Sequence, residues 1–330
     1  MITSEKTKTV ISLSDHEIRY VTIAKNKKGF YIKKFDSAEL EEGIIKDGEI
    51  LKADFLRKIL LNIAKKINSE VINLLLPHHH FSFDTHTINK EEGLTNLKLF
   101  KKYIKEQKKN IPWAATHSYE YELFENEKQI SVLFSTLRRE TYSAYDFIFK
   151  KVGLKINSVS SDILAFSPLL SQTERVTQIY VDQDYSYVIE YKNGLYMNDR
   201  KFQLSRNQLL DDIKKNIQIN DVEAKKILEQ YGVLRTHKDS KVLARMERSM
   251  SPLFEFITKR KIKEKSSVVV HFSDTPILGF VDKVSKITKT DVSALCSLKS
   301  PMFPFHEVIT LHKKKSYVYE PLVARALSLF

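Results

Sequence analysis

The feature that most restricts the fold is an order of short apolar runs that occurs twice. Runs at residues 9–13, 18–23 and 30–35 are separated by the turn formers Ser14-Asp15-His16 and Asn26-Lys27-Lys28-Gly29, which predicts a three-strand antiparallel meander. A polar loop with Gly43 and Gly48 follows, then residues 51–67, where Leu56, Leu60, Ile63 and Ile67 recur at helical spacing. Residues 71–76, apolar but for Asn73 and ended by Pro77, read as a strand covered on both faces. The same order returns at 179–181, 185–191 and 195–202, with Lys192-Asn193-Gly194 at the second turn. Helical stretches at 205–217, 221–231 and 242–262 and the apolar run 268–270 complete it. A duplicated α/β fold is expected, its two halves around a cleft, the usual place for a ligand.

The first copy carries an extra stretch: a strand at 81–87, a helix at 94–105, the break Asn110-Ile111-Pro112, and strands at 118–124 and 129–135. It reads as an inserted subdomain. A helix at 140–152 with Gly153 just past its end, a strand at 155–160 and a helix at 162–170 finish this half. The expected division is residues 1–83 and 140–175 for half one and 84–139 for the insertion. Residues 176–204 and 263–317 make half two, 205–262 a helical subdomain, and 318–330 a closing helix that returns to half one.

Composition removes several function classes. Only 8 glycines occur in 330 residues, where usage of about 7% would give roughly 23. They are too dispersed for a GxGxxG, a Walker A loop or a GxSxG nucleophile elbow. A single Cys, Cys296, excludes a disulfide framework and any CxxC pair. The charged start and the lack of an 18-residue apolar stretch predict a soluble intracellular chain. The formal charge of +13 attracts phosphates at long range. Lysine clusters interrupted by apolar and acidic residues, without an accompanying aromatic-and-Arg stacking motif, point away from nucleic acid. An acidic membrane surface or an acidic partner fits the charge better.

Several short motifs carry a resemblance. Glu42-Gly43-Ile44-Ile45-Lys46-Asp47-Gly48-Glu49-Ile50, Leu75-Leu76-Pro77, Tyr103-Ile104, Lys151-Val152-Gly153-Leu154-Lys155, Ser161-Asp162-Ile163-Leu164-Ala165 and Leu322-Val323-Ala324-Arg325-Ala326-Leu327 resemble segments of the PilM family. That family provides cytoplasmic actin-like proteins of type IV pilus assembly, within the actin-like ATPase superfamily. The resemblance implies a duplicated actin-like (RNase H-like) α/β fold. It implies also a partner, the cytoplasmic tail of a PilN-like inner-membrane protein, received by the groove between the insertion and the first half. Phe83, Ile111, Pro112 and Trp113 are the candidates there, since aromatic anchors with a polar rim suit a peptide groove.

The same resemblance locates a nucleotide site, and the residues found there depart from it. In this superfamily two hairpin turns cradle phosphates through glycine N–H groups, beside an Asp that organises magnesium. Here Ser12 stands in place of that Asp and Ser14 in place of the glycine, with Asp15 and Glu17 adding negative charge. The second hairpin keeps Asp182 but has Asp184 for the glycine, then Tyr185 and Ser186. The glycine run that admits the nucleoside falls at Phe272-Ser273-Asp274, and an AExxK helix motif has Lys225 and Leu228 at its acid and lysine. A carboxylate facing a triphosphate repels it unless a metal intervenes. The expectation is a pseudo-ATPase scaffold with no cofactor.

Two competing readings stand beside it: a working ATPase that binds ATP and Mg through divergent loops, and an FtsA-like division or filament protein. The short apolar end after Glu320-Pro321 lacks the basic amphipathic membrane helix of the latter. The expected location is the inner face of the cytoplasmic membrane, with membrane association through partners, other inner-membrane components of the machine nearby, and a homo-oligomer compatible with it. His80, Asp84 and His86 would share one face of a strand and could hold a divalent ion. Their spacing matches no metal motif, a polar strand face is the plainer explanation, and no metal is expected.

Overall fold

The computed structural model describes residues 6–67, 69–91, 95–107, 117–125, 128–170, 175–234, 240–259, 267–273, 276–290, 292–294, 305–307 and 320–330. The chain divides into two compact units, Met1–Pro168 with Pro301–Ile309 and Pro321–Phe330, and Leu169–Ser300 with Thr310–Glu320.

In the first unit, β1 (Lys6–Leu13), β2 (Glu17–Asn26) and β3 (Gly29–Glu39) form the meander. A small hairpin of β4 (Ile45–Lys46) and β5 (Glu49–Ile50) leads into α1 (Ala53–Lys66). β6 (Val71–Leu76) pairs parallel to β1 and is buried from its second residue on, as a strand covered on both faces must be. The insertion follows as β7 (Phe81–Asn89), α2 (Asn96–Gln107), β8 (His117–Glu125) and β9 (Gln129–Arg138). Its three strands run in the order β7-β9-β8, with a small core of Leu99, Phe100, Ile130, Val132 and Phe134. Then α3 (Arg139–Lys151) leads to β10 (Lys155–Ser161), parallel to β6. Leu56, Leu60 and Ile63 of α1 and Ile148 and Phe149 of α3 pack in one cluster with Ile11, Leu13, Leu74 and Leu76. Both helices therefore cover the same face of this sheet. Asn73, the polar residue of β6, is buried and fully used: it donates to the Thr9 carbonyl at 3.2 Å and accepts from Asn157 and Ser158 at 3.0 and 2.8 Å.

After β10 the chain makes a 3-10 turn at Leu164–Phe166 and a single helical turn, α4 (Ser167–Leu170), rather than one helix over 162–170. Pro168 has no N–H to continue the ladder.

The second unit repeats the plan. β11 (Arg175–Val181), β12 (Ser186–Lys192) and β13 (Leu195–Phe202) form its meander. α5 (Arg206–Ile217), α6 (Asp221–Tyr231) and α7 (Ser240–Lys259) precede β14 (Ser267–Phe272), which is parallel to β11. α8 (Phe280–Thr288) and β15 (Val292–Ala294) follow. The sheet order β13-β12-β11-β14-β15 matches β3-β2-β1-β6-β10 of the first unit, so the duplication is structural.

Within 205–262, Leu209, Ala224, Leu228, Met246 and Leu253 pack in one cluster with Ile179, Val188, Val270 and Phe272 of the sheet, whose face they cover. One expected boundary is corrected. Residues 305–307, given to half two, form β16 (Phe305–Glu307), which pairs with β3 as the edge strand of the first sheet. α9 (Glu320–Ser328) also belongs to this unit, with Arg325 donating to Ser158 at 3.1 Å and Phe330 edge-on to Phe30.

The helices of the second unit are tied by a buried carboxylate. Asp212 of α5 accepts from Arg245 Nε at 3.1 Å, Ser249 Oγ at 2.5 Å and Gln208 Nε2 at 3.2 Å. Asp212→Ala is expected to cost about 2 kcal/mol, typical of hydrogen bonds to a charged group, read as a lower urea midpoint with an unchanged slope.

Candidate functional site

The β1–β2 turn closes on itself. Ser14 N–H donates to the Glu17 carbonyl at 3.0 Å, and Ser14 Oγ accepts from the N–H groups of His16 and Glu17 at 3.3 and 3.2 Å. Backbone donors of the kind a phosphate would need are thus taken by a side chain of the same turn. Glu17 forms an ion pair with Arg19. Ser12, half-buried, lies opposite Arg19 on β2 and Leu75 on β6.

Asp15 points to a different element. Its Oδ2 accepts from Asp47 N–H at 2.6 Å and its Oδ1 from Gly48 N–H at 3.1 Å. Asp47 and Gly48 both have positive φ, 49° and 75°, the conformation of a two-residue type I′ hairpin turn. The Gly48 carbonyl in turn accepts from the Tyr145 hydroxyl of α3 at 2.9 Å. Burial, with a smaller contribution from Asp15, raises the Tyr145 pKa well above the ordinary phenol range, so it stays a donor. A Cβ at position 48 would fall on the His80 imidazole. Asp15, the β4–β5 hairpin, α3 and the start of the insertion therefore meet at one glycine. The stretch was read from sequence as a polar loop; the Asp47-Gly48 pair is a signal that could have shown the hairpin, and its distant partners had none.

The second hairpin is similarly occupied. Asp182 Oδ1 accepts from Gln183 N–H at 2.8 Å, and Asp182 N–H donates to the Tyr185 carbonyl at 2.9 Å. Exposed Asp184 accepts from Asn207 Nδ2 at 3.0 Å, and Lys201 Nζ stands 3.2 Å from the Tyr185 ring centroid. Ser186 Oγ donates to the Leu204 carbonyl at 2.6 Å. The start of α5, a ready anion site by its free N–H groups, is spent: Arg206, Asn207 and Gln208 N–H donate to Asp182 O, Gln183 O and Ser205 Oγ at 3.0 Å each.

The remaining nucleotide positions serve packing. Leu228 and Ala224 are core residues, while Lys225 faces solvent on α6. Phe272 is buried edge-on to Phe280, and Ser273 N–H donates to the Val181 carbonyl at 3.1 Å. Asp274 lies outside the described residues.

Of the peptide-groove candidates, Phe83 is half-buried and stacks on His78 with centroids 4.7 Å apart. His78 Nδ1 is 2.9 Å from Ser161 Oγ. This link between the insertion and the end of β10 was not foreseen from sequence. Ile111, Pro112 and Trp113 lie outside the described residues.

The shared face proposed for His80, Asp84 and His86 is corrected. Pro77 opens a 3-10 turn at His78–His80, with His80 N–H donating to the Pro77 carbonyl, and strand alternation begins only at Phe81. Asp84 and His86 do meet: His86 Nε2 lies 2.7 Å from Asp84 Oδ2, and its Nδ1 2.6 Å from the Tyr103 hydroxyl. Among the described residues no three His, Cys, Asp or Glu side chains gather where they could hold a metal.

The family model of the type IV pilus assembly protein PilM matches residues 11–231. The chain belongs to the PilM family. Among solved structures, a PilM–PilN type IV pilus biogenesis complex has a chain 11% identical, with a TM-score of 0.73 over 98% of this chain and 97% of that one. The ethanolamine utilization protein EutJ of Carboxydothermus hydrogenoformans is 10% identical at a TM-score of 0.57, over 98% and 89%. MreB5 of Spiroplasma citri, solved bound to ADP, is 11% identical at 0.54, over 98% and 97%. At these identities the structures establish the actin-like fold of this PilM relative. No curated protein matches its sequence.

The hairpin clamp is open to test. Gly48→Ala is expected to destabilise the protein by about 1–3 kcal/mol, from the positive φ and the His80 contact together. Adding His80→Ala should return the steric share, so that a double-mutant cycle in urea reads a favourable coupling between the two changes.

Proposed function

We propose that this PilM-family protein is a scaffold of a type IV pilus or related secretion machine. In this reading it holds the cytoplasmic tail of a PilN-like inner-membrane protein at the inner face of the cytoplasmic membrane and does not hydrolyse ATP. The observation that carries the second part is the state of the two turns. Ser14 Oγ, the Asp182 and Gln183 carbonyls and Ser205 Oγ already accept the backbone N–H groups at these turns. A phosphate at either turn would have to displace these internal acceptors, and at the second it would meet the Asp184 carboxylate where the resemblance has glycine. The first part is supported by the family and by the PilM–PilN complex that shares the fold. Among the described residues no helix is long and apolar enough to cross a membrane, so in this reading the membrane protein supplies the anchor.

The alternative is an ATPase with divergent loops, and Asp182 at the end of β11 is the residue that favours it. Melting with and without millimolar Mg-ATP separates the two, since a ligand at 100 times its Kd adds about 2.7 kcal/mol. No shift is expected. A magnesium-dependent rise abolished by Asp182→Ala would establish the alternative.

Partner binding has its own reporter, because Trp113 is the one tryptophan of the chain. Titration with a peptide of the PilN-like tail should change its fluorescence and saturate. Trp113→Ala, followed by calorimetry, should weaken binding by about 2 kcal/mol if the ring is an anchor; unchanged affinity in the folded variant removes it from the groove.

A further inference from the structure

The helical layer of the first unit turns a side away from the sheet. Four of the exposed large apolar residues belong to this layer: Leu51 just before α1, Phe55 and Leu61 in α1, and Phe147 in α3. Phe55 is 52% exposed and Phe147 61%, unusual for phenylalanine on a helix that already buries an apolar face. A lysine rides over each ring, Lys58 Nζ at 5.5 Å from the Phe55 centroid and Lys151 Nζ at 5.3 Å from that of Phe147. The two helices carry seven Lys and Arg against three Asp and Glu. Of those acids, Asp54 pairs with Arg57 and Asp146 with Lys150. The C-terminal ends of α1 and α3 adjoin at a shallow recess of about 440 Å³, whose lining includes Leu61, Ala64, Lys65, Glu70, Val152 and Leu154.

We propose that the outer face of the α1–α3 layer is a contact surface for an anionic lipid bilayer. Phe55 and Phe147 enter the headgroup region, and Lys58, Lys65 and Lys151 face the lipid phosphates. The chemistry selects lipid over an acidic peptide. Lysines spread over two helices act as separate point charges, whereas carboxylate recognition favours the paired donors of arginine. Outward-facing aromatics among such lysines suit an interface with an apolar side, and each lysine near an anionic leaflet adds attraction. The contact is direct and independent of any partner protein, so it stands or falls apart from the scaffold reading.

Flotation of the full chain with protein-free vesicles tests it. The chain should float with phosphatidylcholine vesicles that contain phosphatidylglycerol and not with phosphatidylcholine alone. Retention should fall with salt, as the Debye length shortens from about 30 Å at 0.01 M to about 8 Å at 0.15 M. Lys58→Glu with Lys151→Glu should lower affinity for the anionic vesicles at least about ten-fold. Lys192→Glu with Lys226→Glu, the same charge change on exposed positions of the second unit, should leave it within about two-fold. Phe55→Ser with Phe147→Ser, also on exposed positions, should release the chain at a lower salt concentration than the parent. Equal loss from both lysine pairs would overturn the assignment to this face. So would no retention of the folded parent on anionic vesicles, in which case an acidic protein is the better occupant.

Discussion

Two backbone N–H groups at the tip of the β4–β5 hairpin project from a turn whose positive φ angles turn them outward together, and the Asp15 carboxylate takes both. Much of the first unit is arranged around that capture. It binds the β1–β2 turn to the hairpin; the hairpin's Gly48 carbonyl receives the Tyr145 hydroxyl, which fixes α3; and the space left by the absent Cβ of Gly48 receives His80 at the root of the insertion. A buried phenol donor and a carboxylate acceptor thus meet through the two sides of one residue, Gly48. Unpaired, the buried phenol would carry a substantial desolvation cost.

The turns at the candidate site show the same internal pairing. A phosphate-binding turn leaves N–H groups unpaired in the empty protein and relies on water until the ligand arrives. In this chain, Ser14 and Asp15 bring acceptors of their own, and the start of α5 does the same with Ser205 and two carbonyls. The result is a pair of turns whose backbone N–H groups are paired within the chain.

The parts of the fold legible in the sequence are those set by local pattern. Leu56, Leu60 and Ile63 at helical spacing, the continuous run of β6, and Gly153 after α3 were each readable because a short window determines them. The parts that were not legible depend on pairing across long separations. β16 is a three-residue strand, too short to show alternation, and it joins β3 some 270 positions earlier in the chain. The shared core of the second unit was hidden because amphipathic helices look alike whether they cover a sheet or one another. His80 was misplaced for a local reason: it belongs to the 3-10 turn that follows Pro77 and ends just before β7 begins, so the strand's alternation does not reach it. At the candidate site, Ser14 and Asp184 were visible in place of glycine, but the donors that pair with the carboxylates there were not, since Asp47 and Asn207 lie far in sequence from Asp15 and Asp184.

The glycines that remain carry the same logic one step further. Every described glycine has positive φ, so each is held by backbone geometry that a side chain would strain. Gly48 and Gly232 are also held by close approach, to His80 and to the Leu278 carbonyl. A glycine that admits a phosphate serves a third end, access of a ligand to the backbone, and the two hairpin turns of the candidate site have Ser14 and Asp184 in that place. With only 8 glycines in 330 residues, the described ones stand where the backbone takes a conformation that a side chain would strain, and the turns that lack them close through side-chain and carbonyl acceptors instead.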